Sequence, residues 1–121
     1  MSKKVLVIED NEQNLYLITF ILEKHGYQVF PAHDGLEGIA LIDQVNPDLI
    51  LLDIQLPGMN GYQVAEKLRE IFGDQKVPII AVTSYAMVGD KEKALAAGCT
   101  GYVTKPINPD TIIPYIESFL A

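Results

Sequence analysis

Basic side chains are scarce in this chain. Nine Lys and Arg stand against 16 Asp and Glu, a formal net charge of −7. A nucleic-acid backbone or an anionic membrane attracts Lys/Arg patches, so neither is the expected main partner. Cysteine occurs once, at Cys99. It has no internal disulfide partner and no ligand cluster beside it in sequence, so it reads as a small buried thiol in a reducing compartment. The only histidines are His25 and His33. Neither ends a strand, so neither is expected to ligate metal or carry a phosphoryl group, and His25 reads as a charge complementing a helix C-terminus. Long apolar runs are missing too. Val5 to Ile8 is closed at once by Glu9-Asp10, too short for a signal peptide or for the roughly 20 residues of a membrane span. A cytoplasmic location is expected. No Walker-type Gly-rich loop occurs, so a nucleotide phosphate is not the expected ligand.

What is present is a 121-residue chain that is 49% hydrophobic and 21% charged, the size and composition of a single globular domain over residues 1–121. Residues 5–8, 49–52, 79–82 and 102–104 form short, continuous apolar or β-branched runs, the habit of parallel strands buried on both faces. A fifth run, 27–30, ends at Pro31. Proline removes a ladder donor, which places that strand at an edge.

Helical patterns alternate with these runs. Leu15, Ile18 and Leu22 share a face, and Gly26 stops the helix. Asp34 and Glu37 suggest a capping box. Asn60 caps a helix burying Val64, Ala65, Leu68, Ile71 and Phe72. A weakly apolar helix spans about 89–97 and ends at Gly98. The last follows Asn108-Pro109 and turns Ile112, Ile113, Ile116, Phe119 and Leu120 inward. Pro114 should kink that helix or delay its start. Strand and helix alternating five times, without repeats or linkers, predict a doubly wound α/β domain.

The residues that end the strands carry the chemistry. Glu9 and Asp10 follow the first, Asp53 the third, Thr83 closes the fourth and Lys105 follows the fifth. In an open parallel sheet, ligands bind outside the carboxyl ends of the strands where the strand order reverses, so these five should meet in one crevice. Three carboxylates repel one another unless a cation joins them, and an oxygen-only donor set favours Mg²⁺. An ammonium and a hydroxyl beside them describe a pocket for a phosphoryl group.

Four segments, Val5–Asn11, Pro47–Gly61, Val82–Ser84 and Tyr102–Pro106, together resemble the receiver domain of two-component response regulators, in order and at the right intervals, over about residues 4–120. The resemblance implies a flavodoxin-like (βα)5 fold with a five-stranded parallel sheet ordered 2-1-3-4-5, in agreement with the edge position read from Pro31. It implies a stand-alone signalling switch or relay rather than an enzyme. Asp53 would accept a phosphoryl group from a histidine kinase or histidine phosphotransfer protein. Asp10, Asp53 and the backbone carbonyl of Gln55 would ligate Mg²⁺, with Glu9 acting through water. Thr83 and Lys105 would contact phosphoryl oxygens, and Tyr102 would follow Thr83 as an aromatic switch. Lys105-Pro106 matches a bond usually cis in the family. Pro57, Gly58 and Gly61 would keep the loop after Asp53 compact. Gln55 and Tyr85 flank the site at variable positions expected to tune the lifetime of the phosphoryl group. The output surface would combine the helix at 89–97, the strand at 102–104 and the last helix, in a monomer.

Two alternatives differ in class. A phosphatase or phosphotransferase using Asp53 as turnover nucleophile would need an acid two residues later, where Gln55 stands, and a cap domain for which 121 residues leave no room. A pseudo-receiver that only binds would be expected to lack Asp53 or Lys105.

Overall fold

The computed structural model describes residues 2–56, 58–73, 75–84 and 89–120; Pro57, Tyr85 and Met87 lie outside them. Five strands alternate with five helices: β1 (Lys4–Ile8), α1 (Glu12–Lys24), β2 (Gln28–Ala32), α2 (Gly35–Val45), β3 (Leu49–Asp53), α3 (Gly61–Phe72), β4 (Ile79–Thr83), α4 (Asp90–Ala96), β5 (Gly101–Thr104) and α5 (Pro109–Leu120). All pairings are parallel and the order is β2-β1-β3-β4-β5, the doubly wound arrangement expected from the sequence.

The apolar runs are continuous because the sheet is covered on both faces. Leu6, Ile8, Ile50, Leu52, Ile79 and Ala81 point to one side, where Val64, Ala65, Leu68 and Phe72 of α3 pack. Val5, Val7, Leu49, Leu51, Ile80 and Val82 point to the other, against Leu15, Ile18 and Leu22 of α1 and Ile112, Ile113 and Ile116 of α5. Strand periodicity of two sorts neighbouring residues into opposite cores.

Caps fix the helix starts. Asn11 accepts from the Asn14 N–H at 2.9 Å. At α3 the box is reciprocal: Asn60 accepts from the Gln63 N–H, and the Gln63 side chain accepts from the Asn60 N–H. At α2 Asp34 accepts from the Glu37 N–H at 2.8 Å, while the Glu37 carboxylate lies 3.3 Å from His33 Nδ1. At the C-terminus of α1, His25 Nδ1 lies 2.9 Å from the Ile21 carbonyl. Cys99 is buried, as expected.

Several expectations need correction. β2 does not stop before Pro31 but includes it, paired with Val7; on an edge strand the missing N–H can face away from the ladder. Ile71 is 45% exposed, because Leu68 and Phe72 fill the buried stripe of α3 and Ile71 turns outside it. α5 does not start late. It begins at Pro109 and runs through Pro114 to Leu120, with the Ile112 N–H already bonded to the Asn108 carbonyl at 2.8 Å. Pro114 is exposed, and the burial of Ile112, Ile113 and Ile116, roughly 1.5–3 kcal/mol each, outweighs a proline cost of about 3 kcal/mol.

Gly61 shows why the segment after Asp53 needs glycine. A Cβ there would lie 2.5 Å from the Ile54 Cα and 2.7 Å from the Asp53 carbonyl oxygen. Both are backbone atoms with little room to give. The start of α3 is thereby pressed against the end of β3.

Candidate functional site

Every strand-end residue singled out from the sequence converges on the carboxyl edge of the sheet. Glu9, Asp53 and Thr83 are buried there, Lys105 is half-buried, and Asp10 is exposed. Carboxylate oxygens of Glu9, Asp10 and Asp53 lie within 4.8 Å of one another. The Lys105 ammonium sits between two of them, 2.8 Å from Glu9 Oε1 and 3.3 Å from Asp53 Oδ2.

Backbone donors hold the carboxylates in place. The Gln55 N–H donates to Asp53 Oδ1 at 3.0 Å, and the Asn11 N–H donates to Glu9 Oε2 at 3.2 Å. Glu9 Oε1 is buried without a directed hydrogen bond; its close contact is the ion pair with Lys105.

Burial pushes the Asp53 carboxyl up from 3.8 to about 7. The neighbouring Glu9 adds to this, and the Gln55 N–H and Lys105 oppose it. Burial pulls the Lys105 ammonium down, but its contacts with Glu9 and Asp53 outweigh that and the net shift is upward. Asp53 is thus an under-compensated carboxylate in a site built from like charges. Such a site gains from a small hard cation. The oxygen-only donor set and the undirected Glu9 oxygen both fit Mg²⁺.

Lys105-Pro106 is cis, as the resemblance implied. Gly58 has φ of +76°, the left-handed conformation that suits glycine in the tight segment after Asp53.

Two polar partnerships could not be read from the sequence. The Gln55 carboxamide reaches across to β4: its Nε2 donates to Thr83 Oγ1 at 2.7 Å, and its Oε1 accepts from the Ser84 N–H at 3.2 Å. A glutamine two residues past a strand-end carboxylate was the available signal. The second is Tyr115 of α5, whose hydroxyl accepts from the Tyr102 N–H on β5 at 3.1 Å. Tyr102 itself is half-buried against the α3–α4 side of the sheet, and its phenol is pushed up by burial and by Asp90.

The response regulator receiver domain family matches residues 5–117. The chain belongs to that family. It is 41% identical over 120 residues to the polar-differentiation response regulator DivK of Brucella ovis, spanning 99% of this chain and 98% of that protein. Among solved structures, a CheY-like response regulator receiver domain protein from Methanospirillum hungatei JF-1 superposes with a TM-score of 0.91 at 33% identity, covering 99% of this chain and 94% of that one. The receiver domain of the sensor histidine kinase PA1611 from Pseudomonas aeruginosa PAO1 gives 0.90 at 31% identity, over 99% and 98% of the two chains. In that structure a magnesium ion is coordinated in the active-site cleft. This chain is therefore a receiver of the two-component type, a phosphorylation-dependent signalling protein rather than a classical enzyme.

Proposed function

We propose that Asp53 accepts a phosphoryl group from a phosphohistidine of a histidine kinase or histidine phosphotransfer protein. The observation that carries this reading is the buried Asp53 carboxylate facing the Lys105 ammonium at 3.3 Å beside two further carboxylates. An Asp53 oxygen attacks phosphorus, the P–N bond breaks, and the imidazole nitrogen leaves with its electron pair to take up a proton. The product is an aspartyl phosphate.

Lys105 stays paired with Glu9 and turns its remaining donors to a phosphoryl oxygen, and the Thr83 hydroxyl donates to another. Asp10, Asp53 and the Gln55 carbonyl would hold Mg²⁺, with Glu9 supporting it through water. When bound, the ion neutralises charge on the phosphoryl oxygens.

The donor must cover the rim of this crevice. Tyr16, Leu17 and Phe20 of α1 and Leu36 of α2 are exposed, at 74%, 43%, 55% and 68%, on the two helices that follow β1 and β2 from the carboxyl edge of the sheet. His33 ties the two helix starts together through Glu12 at 3.1 Å and Glu37 at 3.3 Å. Exposed apolar side chains on helices that start beside a reaction site suit a protein partner.

Output runs through Thr83 and Tyr102 to the surface of α4, β5 and α5. α4 has seven residues, no side-chain cap, and Ala94 as its buried residue, so it is the helix least firmly docked. Beside Tyr102 a groove of about 270 Å³ is lined by Thr104, Pro106, Asn108, Thr111 and Tyr115, among others. Phosphorylation biases an existing two-state equilibrium toward the form a target protein prefers.

We place the protein in the cytoplasm as a monomer, with no nucleic-acid or membrane partner. Among the described residues no helix is long and apolar enough to cross a membrane.

The test is intact-mass labelling with a small-molecule phosphodonor and Mg²⁺. One base-labile phosphoryl group is expected on the wild type and none on Asp53→Asn. Labelling that persists in Asp53→Asn overturns the assignment, and an unlabelled wild type supports the binding-only alternative.

A further inference from the structure

Charge is spread unevenly over this fold. All five strands are parallel, so their carboxyl ends and the starts of the helices that follow share one edge of the sheet. From the last residue of each strand to the third residue of the next helix, the acids are Glu9, Asp10 and Glu12 after β1, Asp34 and Glu37 after β2, and Asp53 at the end of β3. Asp90 and Glu92 open α4 and Asp110 opens α5, while Lys91 and Lys105 are the two bases in these segments. Of the chain's 16 acidic and nine basic residues, nine and two therefore belong to this edge, and the remainder balance at seven each. The whole formal charge of −7 is carried by the edge that holds Asp53.

Lys105 is already engaged by Glu9 and Asp53. Five helix starts add about half a positive charge each and a bound Mg²⁺ adds two, which still leaves the edge negative. Complementing the helix dipoles does not explain the pattern either, since α2 and α5 have no basic residue in their last turns.

The group to be transferred is itself an anion, so a donor with a neutral or acidic face meets repulsion as it approaches. A donor with positive charge around that group meets attraction instead. Complementary patches of this kind raise association rates about 10- to 1,000-fold. The exposed apolar side chains of α1 and α2 identify the occupant as a protein rather than a bare cation. A groove of about 290 Å³ lined by Glu12, Tyr16, Pro31 and His33, among others, sets one of these carboxylates beside an exposed aromatic ring.

We infer that the phosphodonor is a protein whose surface around its phosphohistidine is basic, and that the acidic carboxyl edge steers it to Asp53. The inference names the partner's chemistry and rests on the phosphoryl-accepting role proposed for Asp53.

The probes are two synthetic peptides that share a central phosphohistidine, one flanked by lysines and the other by glutamates. With Mg²⁺ at pH 8 and about 10 mM salt, where the Debye length is about 30 Å, the lysine peptide should transfer to Asp53 about tenfold faster or more. The gap should close near 1 M salt, where that length is about 3 Å. Glu12 and Glu37 are exposed, and glutamine keeps their shape and an acceptor for His33. Glu12→Gln with Glu37→Gln should narrow the low-salt gap about 2- to 5-fold. This variant should still bind beryllofluoride, a phosphoryl mimic, which shows the crevice intact. Glu23→Gln with Glu70→Gln makes the same change in net charge at exposed positions near the other ends of α1 and α3, and should narrow the gap less.

Equal rates for the two peptides at low salt overturn the inference. So does equal narrowing in the two variants, which would reduce the effect to net charge without a steering edge. If neither phosphopeptide labels wild type, the proposed function fails. The unphosphorylated peptides then still decide the surface by NMR titration. Shifts confined to the five strand-to-helix segments with the lysine peptide alone support the acidic edge as a docking surface, and scattered or absent shifts overturn it.

Discussion

Lys105 Nζ lies 2.8 Å from Glu9 Oε1, a buried carboxylate oxygen with no directed hydrogen bond. The same ammonium reaches Asp53 at 3.3 Å, so one cation offsets two buried anions. Removing one partner of a buried charge pair leaves the other uncompensated. Lys105→Met should lower stability in the absence of metal by about 1–3 kcal/mol at pH 8. The loss should shrink at pH 5, where protonation of Asp53 leaves less negative charge to compensate. Denaturant melts at the two pH values check this; equal losses would contradict the pairing.

Asp53 makes the opposite prediction. Its carboxyl is raised to about 7 in the folded protein from 3.8, so between these values the native state binds more protons than the unfolded chain. Stability contributed by this group is therefore present below about pH 4 and lost as pH rises through 7. Asp53→Asn should raise the metal-free Tm at pH 8 by roughly 3–8 °C, an effect near 1 kcal/mol, and change it much less at pH 4. A lower Tm for the variant at pH 8 would contradict the under-compensated carboxylate.

The exposed side chains on α1 separate docking from chemistry. Tyr16→Ala with Phe20→Ala should slow phosphotransfer from a histidine phosphotransfer protein by about 30-fold or more, since buried aromatic anchors at interfaces cost about 1 kcal/mol or more each when truncated. Labelling by a small phosphodonor should be unchanged. Equal slowing with both donors would move the effect to the crevice itself.

Output through Thr83 is open to calorimetry with an identified target protein. The target should bind the beryllofluoride form about 10- to 100-fold more tightly than the resting form, a coupling of about 1.4–2.7 kcal/mol. In Thr83→Ala the difference should largely vanish. Equal affinities in all four titrations would leave a phosphoryl relay without conformational readout.

The fold and the meeting of the strand-end residues were largely legible in the sequence, for one physical reason. Parallel strands buried on both faces are continuous apolar runs, so a polar residue ending such a run marks the carboxyl edge of the sheet. Glu9, Asp53 and Thr83 each end or follow a run in this way. What escaped depended on side-chain geometry between distant segments. Nothing local in Gln55 shows that its carboxamide meets Thr83 and Ser84, 28 and 29 residues away. The Tyr115 hydroxyl at the Tyr102 N–H is similarly a matter of how α5 lies on β5. Ile71 was misjudged because spacing was read without the tertiary packing that decided it, and the delayed start of α5 expected from Pro114 did not occur.

Asp53 as the phosphorylated residue is tested most directly by reduction and sequencing. An aspartyl phosphate is reduced by borohydride to homoserine, which marks the modified position in a peptide map. After incubation with Mg²⁺ and phosphodonor, homoserine should appear at position 53 and at no other. Homoserine at position 10 or 9, or none at 53 in protein whose mass shows the phosphoryl group, would contradict the assignment.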